Sequence, residues 1–385
     1  MAGERTLSSL RSYRNRYQKL DRKGRSKLLD EFCLNTGYHR KYAICLLRRP
    51  DDAPEPGSLP RRRGATYGPV VARILTKIWR VAGYPWSTRL KAMLPQWLPW
   101  ARRHVRGLTP DVEGLLLKIS PRQMDRLLAA KKRQVKKRLY GHTKPGTLLK
   151  SQIPIRTDNW DVTGPGYLEI DLVAHCGPCA SGEFVYSLNA TDIHTGWTET
   201  RALLGKGEAG VVLAMGEIRS ILPFPIVAID SDNGSEFINH HLLRWCTEHG
   251  FKFTRSRPYK KNDNAHIEQK NWTHVRKIHG WVRYDTSAQR DAMNALYRKD
   301  LSRMQNHFQP SVKLLSKTRI GARVHRTYDV PKTPLERLKA AAPASREIRE
   351  ALATCAKTDP FELSSKIDKM VARIVGMAEK KTEEN

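Results

Sequence analysis

The stretch YLEIDLVA, residues 167–174, alternates Leu168, Ile170 and Leu172 with Glu169 and Asp171. A period of two is the signature of a strand with one apolar face, so Asp171 is expected to be a strand-borne acid. Two further acids occupy equally marked settings. The short apolar run from Pro225 to Asp230 leads into Ser231-Asp232-Asn233-Gly234, where Asn and Gly end the strand and put Asp232 at its exit. Asp230, two residues earlier, is the rival on that strand. Beyond the polar loop 258–264, the segment from Ala265 to about Ile278 reads as a helix opened by an Asn or Asp cap, with Glu268 in its first turns. Each acid alone has an ordinary explanation as a cap, a turn residue or a helix N-terminal carboxylate. Three together suit hard divalent cations, because two ions about 4 Å apart can activate an attacking oxygen and stabilise a leaving one.

In this order, the strand Asp171, the run Asp-Asn-Gly-Ser-Glu-Phe at 232–237, and Glu268 ahead of Gln269, Lys270 and Asn271 resemble the DDE transposase and retroviral integrase superfamily. The likeness is to the integrase catalytic core of bacterial insertion-sequence transposases. The 35 residues between Asp232 and Glu268 match that signature. The resemblance runs from about Trp160 to Arg283 and includes YSLNATDIHTGW (186–197), similar to the second and third strands of such cores. The loop before Glu268, Tyr259-Lys260-Lys261-Asn262, departs from the Gly- or Pro-containing stretch common in relatives.

The resemblance implies an α/β RNase H-like core, a mixed five-stranded sheet with flanking helices. It implies that Asp171, Asp232 and Glu268 are catalytic and hold two Mg²⁺ or Mn²⁺ ions. The expected activity is that of a transposase: water nicks a transposon end, and the freed 3′-hydroxyl then attacks target DNA. A homo-oligomer on DNA is expected. A nuclease without strand transfer and a non-catalytic DNA-binding regulator are the alternatives.

Bulk properties agree. The 385-residue chain is 39% hydrophobic, which argues for globular structure, and carries a net charge of +31 spread along its length. Such an excess calls for a polyanionic partner, and its spread favours DNA over a membrane-surface patch. The chain has no apolar run long enough to span a bilayer, and the N-terminal residues lack a signal-peptide apolar region, so a cytoplasmic protein without a membrane partner is expected. The six cysteines are too sparse for a disulfide scaffold. Cys176-Gly-Pro-Cys179 lies between two expected strands and reads as a hairpin turn.

Four domains are expected: 1–55 and 65–145 as helix-turn-helix-like DNA-binding modules, 155–290 as the catalytic core, and 291–385 as a basic, mainly helical extension. In the first, Leu28, Leu29, Phe32 and Cys33 mark a helix from Arg22 to Thr36, Gly37 stops it, and a second helix offers Arg40 and Lys41 to DNA. The Pro-rich stretch from Pro50 to Arg63 separates it from a helix over Val70–Val81, another from Ser87 through Leu94, and a third that starts at Pro121 and carries Arg122 and Arg126. Trp79, Trp86, Trp97 and Trp100 read as core or interface residues. Around the acids, Arg257, Lys260, Lys261, Lys270 and Arg276 are candidates to hold DNA phosphates. Helical spacing puts Trp272 and Arg276, four and eight residues beyond Glu268, roughly on its face. After the core, a helix is expected over Asp291–His307, Ser311–Tyr328 reads as extended and DNA-contacting, and the chain ends in helices with a frayed tail from Glu379.

Overall fold

The computed structural model describes residues 2–48, 66–134, 162–231, 237, 240–255, 267, 270–320, 323–342 and 345–384. The chain forms two compact units, Met1–Thr66 and Tyr67–Asn385.

The first unit has three helices, α1 (Ala2–Lys19), α2 (Arg22–Thr36) and α3 (Arg40–Leu47). Asp21 caps α2 by accepting from the Gly24 amide, and Gly37 ends it at φ 70°, in the left-handed region where glycine has no Cβ to clash. The helical spacing of Leu28, Leu29 and Phe32 turns one face of α2 onto Tyr17, Ala43 and Leu47. The second helix begins two residues later than Tyr38, with His39 as its N-cap.

The second unit opens with α4 (Pro69–Val81), α5 (Ser87–His104), α6 (Pro110–Lys118) and α7 (Pro121–Gln134). The helix expected to stop at Leu94 runs ten residues further, through Pro95 and Pro99. Proline within a helix costs about 3 kcal/mol. Here the continuation buries Trp97, Leu98 and Ala101 completely or nearly so, which offsets that cost. Trp79 and Trp97 are core residues as expected, whereas Trp86 is 79% exposed: it sits at the N-cap of α5, ahead of the buried face.

A five-stranded sheet follows: β1 (Tyr167–Ala174), β2 (Val185–Asp192), β3 (Thr198–Leu204), β4 (Ala228–Ser231) and β5 (Lys252–Arg255), in the order β3-β2-β1-β4-β5. The first three are antiparallel, while β1, β4 and β5 are parallel. This is the mixed RNase H-like sheet that the resemblance implies. The third strand begins at Thr198, just past the stretch 186–197, which covers β2 and its turn. Leu168 and Ile170 pack under α8 (Glu208–Ile221) and α9 (His240–Glu248), leaving Glu169 and Asp171 on the opposite face. Cys176 and Cys179 lie in the connection between antiparallel β1 and β2, and every described cysteine is a free thiol.

Gly166 enters β1 at φ 115°, and a Cβ there would stand 2.5 Å from the Pro225 carbonyl oxygen. That close approach and the backbone angle together demand glycine.

Beyond the sheet, a π-helical segment, Asn271–Arg276, runs into α10 (Lys277–His279), and α11 (Ser287–Ala295) continues through π-helical turns at Leu296–Leu301 and Met304–Phe308. The extended segment is a two-stranded antiparallel ribbon, β6 (Leu314–Ile320) and β7 (Arg323–Tyr328). The end of the chain is α12 (Pro334–Ala341), α13 (Arg346–Lys357) and α14 (Pro360–Glu384), so the tail expected to fray from Glu379 continues as helix. One hydrophobic core joins Leu75, Leu90 and Trp97 of the first helices to Val185 of the sheet and to Tyr297, Phe308 and Phe361 beyond it. Among the described residues, no helix is long and apolar enough to cross a membrane.

Histidines are built into this interior. His175 bonds Ser187 at 2.8 Å, Ser187 bonds Tyr297 at 2.7 Å, and His279 packs edge-on against His175 and Tyr297. Burial pushes the imidazole of His279 down to about 3 and that of His307 down to about 4. Below the ordinary histidine value near 6.5 the unfolded chain therefore takes up protons that the folded one refuses, and stability falls with pH. We expect a loss on the order of 2 kcal/mol per such imidazole between pH 6.5 and pH 5. Urea melts across that range check it: His279→Phe should flatten the acid limb, and an unchanged limb would remove His279 from the account.

Candidate active site

The polar face of β1 is organised by hydrogen bonds that converge on Asp171. Strand register sets Asn189 of β2 opposite Asp171, and Thr200 of β3 opposite Asn189. Thr200 Oγ1 donates to Asn189 Oδ1, Asn189 Nδ2 donates to Asn271 Oδ1, and Asn271 Nδ2 donates to Asp171 Oδ2, each at 2.6 Å. The direction of this relay follows from chemistry. An ionised carboxylate only accepts, so Asn271 must turn its nitrogen to Asp171 and its oxygen to Asn189, which in turn receives the Thr200 hydroxyl. The second oxygen, Asp171 Oδ1, accepts from the Leu172 amide at 2.8 Å. Asp171 is half-buried, and these amides fix the orientation of its carboxylate.

Glu169, two residues earlier on the same face, is buried, and its Oε2 accepts from the Ile267 amide at 3.0 Å. The chain around Glu268 is thus tied to β1 on both sides, through Ile267 to Glu169 and through Asn271 to Asp171. Glu268 itself lies outside the described residues, as do Asp232, Arg257, Lys260 and Lys261. Asp232 directly follows Ser231, whose partner across the parallel β1/β4 pair is Ile170, the neighbour of Asp171. Asp230, the rival, is buried opposite Glu169 and accepts from Thr254 Oγ1 at 2.5 Å, a position explained by the fold.

The candidate basic residues have different fates. Lys270 does not reach the surface: it donates to the Gly196 carbonyl at 3.0 Å and sits 3.4 Å from His274 Nε2. Burial pushes its ammonium down to about 7, with the Arg89 and Arg337 guanidiniums adding to the effect. In this structure it fastens the segment after Glu268 to the β2/β3 turn. Arg276 lies over the Trp281 ring, 4.2 Å from its centroid, with His175 and Cys176 among its electrostatic neighbours. The wider π-helical turn at 271–276 removes the regular spacing that put it on the face of Glu268. Arg40 pairs with Asp30 and donates to Ser26 Oγ at 2.7 Å, while Lys41, Arg122 and Arg126 are exposed.

Asn271, Asn189, Thr200 and Glu169 are the site residues that sequence reading passes over. Asn271 stands inside the motif with Glu268, but its partner on β2 is 82 residues away and only register brings it near.

The donor chemistry fits Mg²⁺ or Mn²⁺. Three carboxylates are hard oxygen donors, and neutral amide hydrogen bonds orient Asp171 as second-sphere groups orient metal ligands. Among the described residues, the acids and histidines close enough to share an ion are His104, Asp359 and Glu362, where a 2.7 Å His104–Asp359 contact ties α5 to α14, away from these acids.

Comparison with known proteins bears on the sheet-bearing core. A family model described as an integrase core domain matches residues 164–261, ending before Glu268. The uncharacterized protein y4rM of Sinorhizobium fredii (strain NBRC 101917 / NGR234) is 39% identical over 325 residues, which cover 84% of this chain and 91% of that protein. The crystal structure of the catalytic core domain of BIV integrase overlaps 45% of this chain and 93% of its own at 15% identity, with a TM-score of 0.30, too slight a likeness to argue from. The core is that of an integrase. The chain belongs to the family of y4rM and, through that core, to the DDE transposase and retroviral integrase superfamily.

Proposed function

We propose that this protein is a DNA transposase that cuts and joins DNA strands with two divalent metal ions. The observation that carries the reading is Asp171, fixed by a directed relay on the strand between β2 and the exit of β4. Asp171, Asp232 and Glu268 would hold Mg²⁺ or Mn²⁺, and the metals, when bound, activate the attacking oxygen and stabilise the leaving one. The chain's own part is orientation. Asn271 presents one oxygen of Asp171, Glu169 anchors the backbone just before Glu268, and Lys270 fastens the residues after it. Water would attack first at the element's end, and the released 3′-hydroxyl would attack target DNA next, with no covalent protein intermediate. The net charge of +31 supports a DNA substrate and an affinity that falls steeply with salt.

The test is an assay with a DNA fragment carrying the element's ends and a circular target, run with Mg²⁺ and with Mn²⁺. Joined products are expected. Nicks without joined products would reduce the protein to a nuclease, and an absence of both with either metal would leave only DNA binding.

A further inference from the structure

A cavity of about 410 Å³ opens beside the candidate active site, between the α4/α5 turn, α5, the helical segment after Asn271, and α14. Its volume is in the range that houses a small molecule and exceeds what one phosphate fills. Its walls divide by chemistry. Arg80, Arg89 and Lys277 supply cations, while Tyr84, Met93, Met304 and Ile367 are among the apolar and aromatic residues. Asp368 is the single acid among the described lining residues.

The cavity wall carries three cations against one acid. Burial lowers the pKa of Arg89, and burial together with Arg89 lowers that of Lys277. Burial raises that of Asp368. Lys277 donates to the Gly83 carbonyl, and among the described residues no carboxylate pairs with Arg89 or Lys277. Partly desolvated cations in such excess over acid are costly unless an anion joins them.

The backbone at the rim is also held under strain. Tyr84 has φ 60°, in the left-handed region, where a residue with a Cβ is disfavoured by roughly 1 to 2 kcal/mol. Its amide donates to the Trp79 carbonyl at 2.9 Å, its ring meets Trp79 edge-on at 4.9 Å, and Trp79 Nε1 donates to the Pro85 carbonyl at 3.0 Å. These contacts keep a conformation that the isolated turn would leave. It sets the Gly83 carbonyl on Lys277 and the Tyr84 side chain on the cavity wall. Strain maintained this way is characteristic of functional positions.

We propose that the cavity receives one unstacked nucleotide of the DNA strand that leaves the candidate active site, its phosphate on Arg89 and Lys277 and its base against Tyr84, Met93 and Met304. This assignment rests on the DNA-processing reading above. A bare phosphate would leave the apolar wall empty, and an apolar ligand would leave the two cations unpaired. A nucleotide satisfies both walls, and its base needs no particular sequence, because every base has a face to stack.

The experiment uses the full chain, a fluorescent blunt duplex, and the same duplex with a short unpaired extension. The extended duplex is expected to bind about tenfold tighter. Arg89→Met and Lys277→Met, which keep volume and remove charge, should each erase most of that preference. Ile367→Trp, which fills the cavity, should erase it as well, with blunt-duplex affinity and melting temperature measured for every variant. If Ile367→Trp does not fold, the two charge variants carry the test. A wild-type chain that binds both duplexes equally, or variants that keep the preference, overturn the cavity assignment alone. Failure to bind either duplex removes the DNA reading beneath it.

Discussion

Asp171→Asn is expected to lower DNA cleavage and joining by at least about a thousandfold, which corresponds to roughly 4 kcal/mol of lost transition-state stabilisation. The substitution is isosteric, so packing is preserved. Its amide oxygen can serve Asn271, keeping the relay to Asn189 and Thr200, while its NH2 then faces the Leu172 amide and that hydrogen bond is lost. What is lost is the negative charge, which a divalent cation needs from a hard oxygen ligand. Neutralising a half-buried carboxylate relieves desolvation, so the melting temperature should hold or rise. DNA binding should persist, since it depends on the cations. The result that would sink the reading is Mg²⁺-dependent joining by the purified variant within tenfold of the wild-type chain.

Asn271→Ala is expected to cost about 10- to 100-fold in metal affinity and activity, the usual consequence of removing a group that orients a metal ligand. Without the amide, Asp171 Oδ2 loses its 2.6 Å donor, and Asn189 Nδ2 loses its acceptor. The deficit should be partly recovered at high Mg²⁺, because an unoriented carboxylate still carries its charge. Asn271→Asp should recover little, since it sets a second carboxylate against Asp171 in place of a donor. Mn²⁺ binding followed by electron paramagnetic resonance separates this from a general loss of fold. Weaker Mn²⁺ binding at an unchanged melting temperature supports orientation. Unchanged Mn²⁺ binding with a lowered melting temperature would make Asn271 a packing residue only.

Much of this arrangement was legible in the sequence where one local signal dominates. The alternation in YLEIDLVA gave β1 to the residue, and Gly37 marked the end of α2. Asp230, the rival of Asp232, pairs in register with Glu169 and accepts from Thr254. Other features depend on partners far along the chain. Pro95 reads locally as a stop, yet the burial of Trp97 in a shared core carries α5 past it. Arg276 was assigned a face by a regular helical period, and the π-helical turn changes that face. Lys270 looks like a surface cation until the β2/β3 turn closes over it. Asn271 gains its meaning only when β2 and β1 pair.

The core that runs from α4 to α14 has a consequence for how the protein can be taken apart. Gln96 donates to the His307 carbonyl at 3.2 Å and Ser364 to the Val81 carbonyl at 2.8 Å, so side-chain hydrogen bonds as well as packing join the early helices to the late ones. A fragment limited to 155–290 would expose the surfaces of Val185, Ala202 and Tyr284 that pack in this core. The integrase fold of this chain is therefore not a portable cassette. Swapping or trimming its flanks would disturb the five-stranded sheet itself.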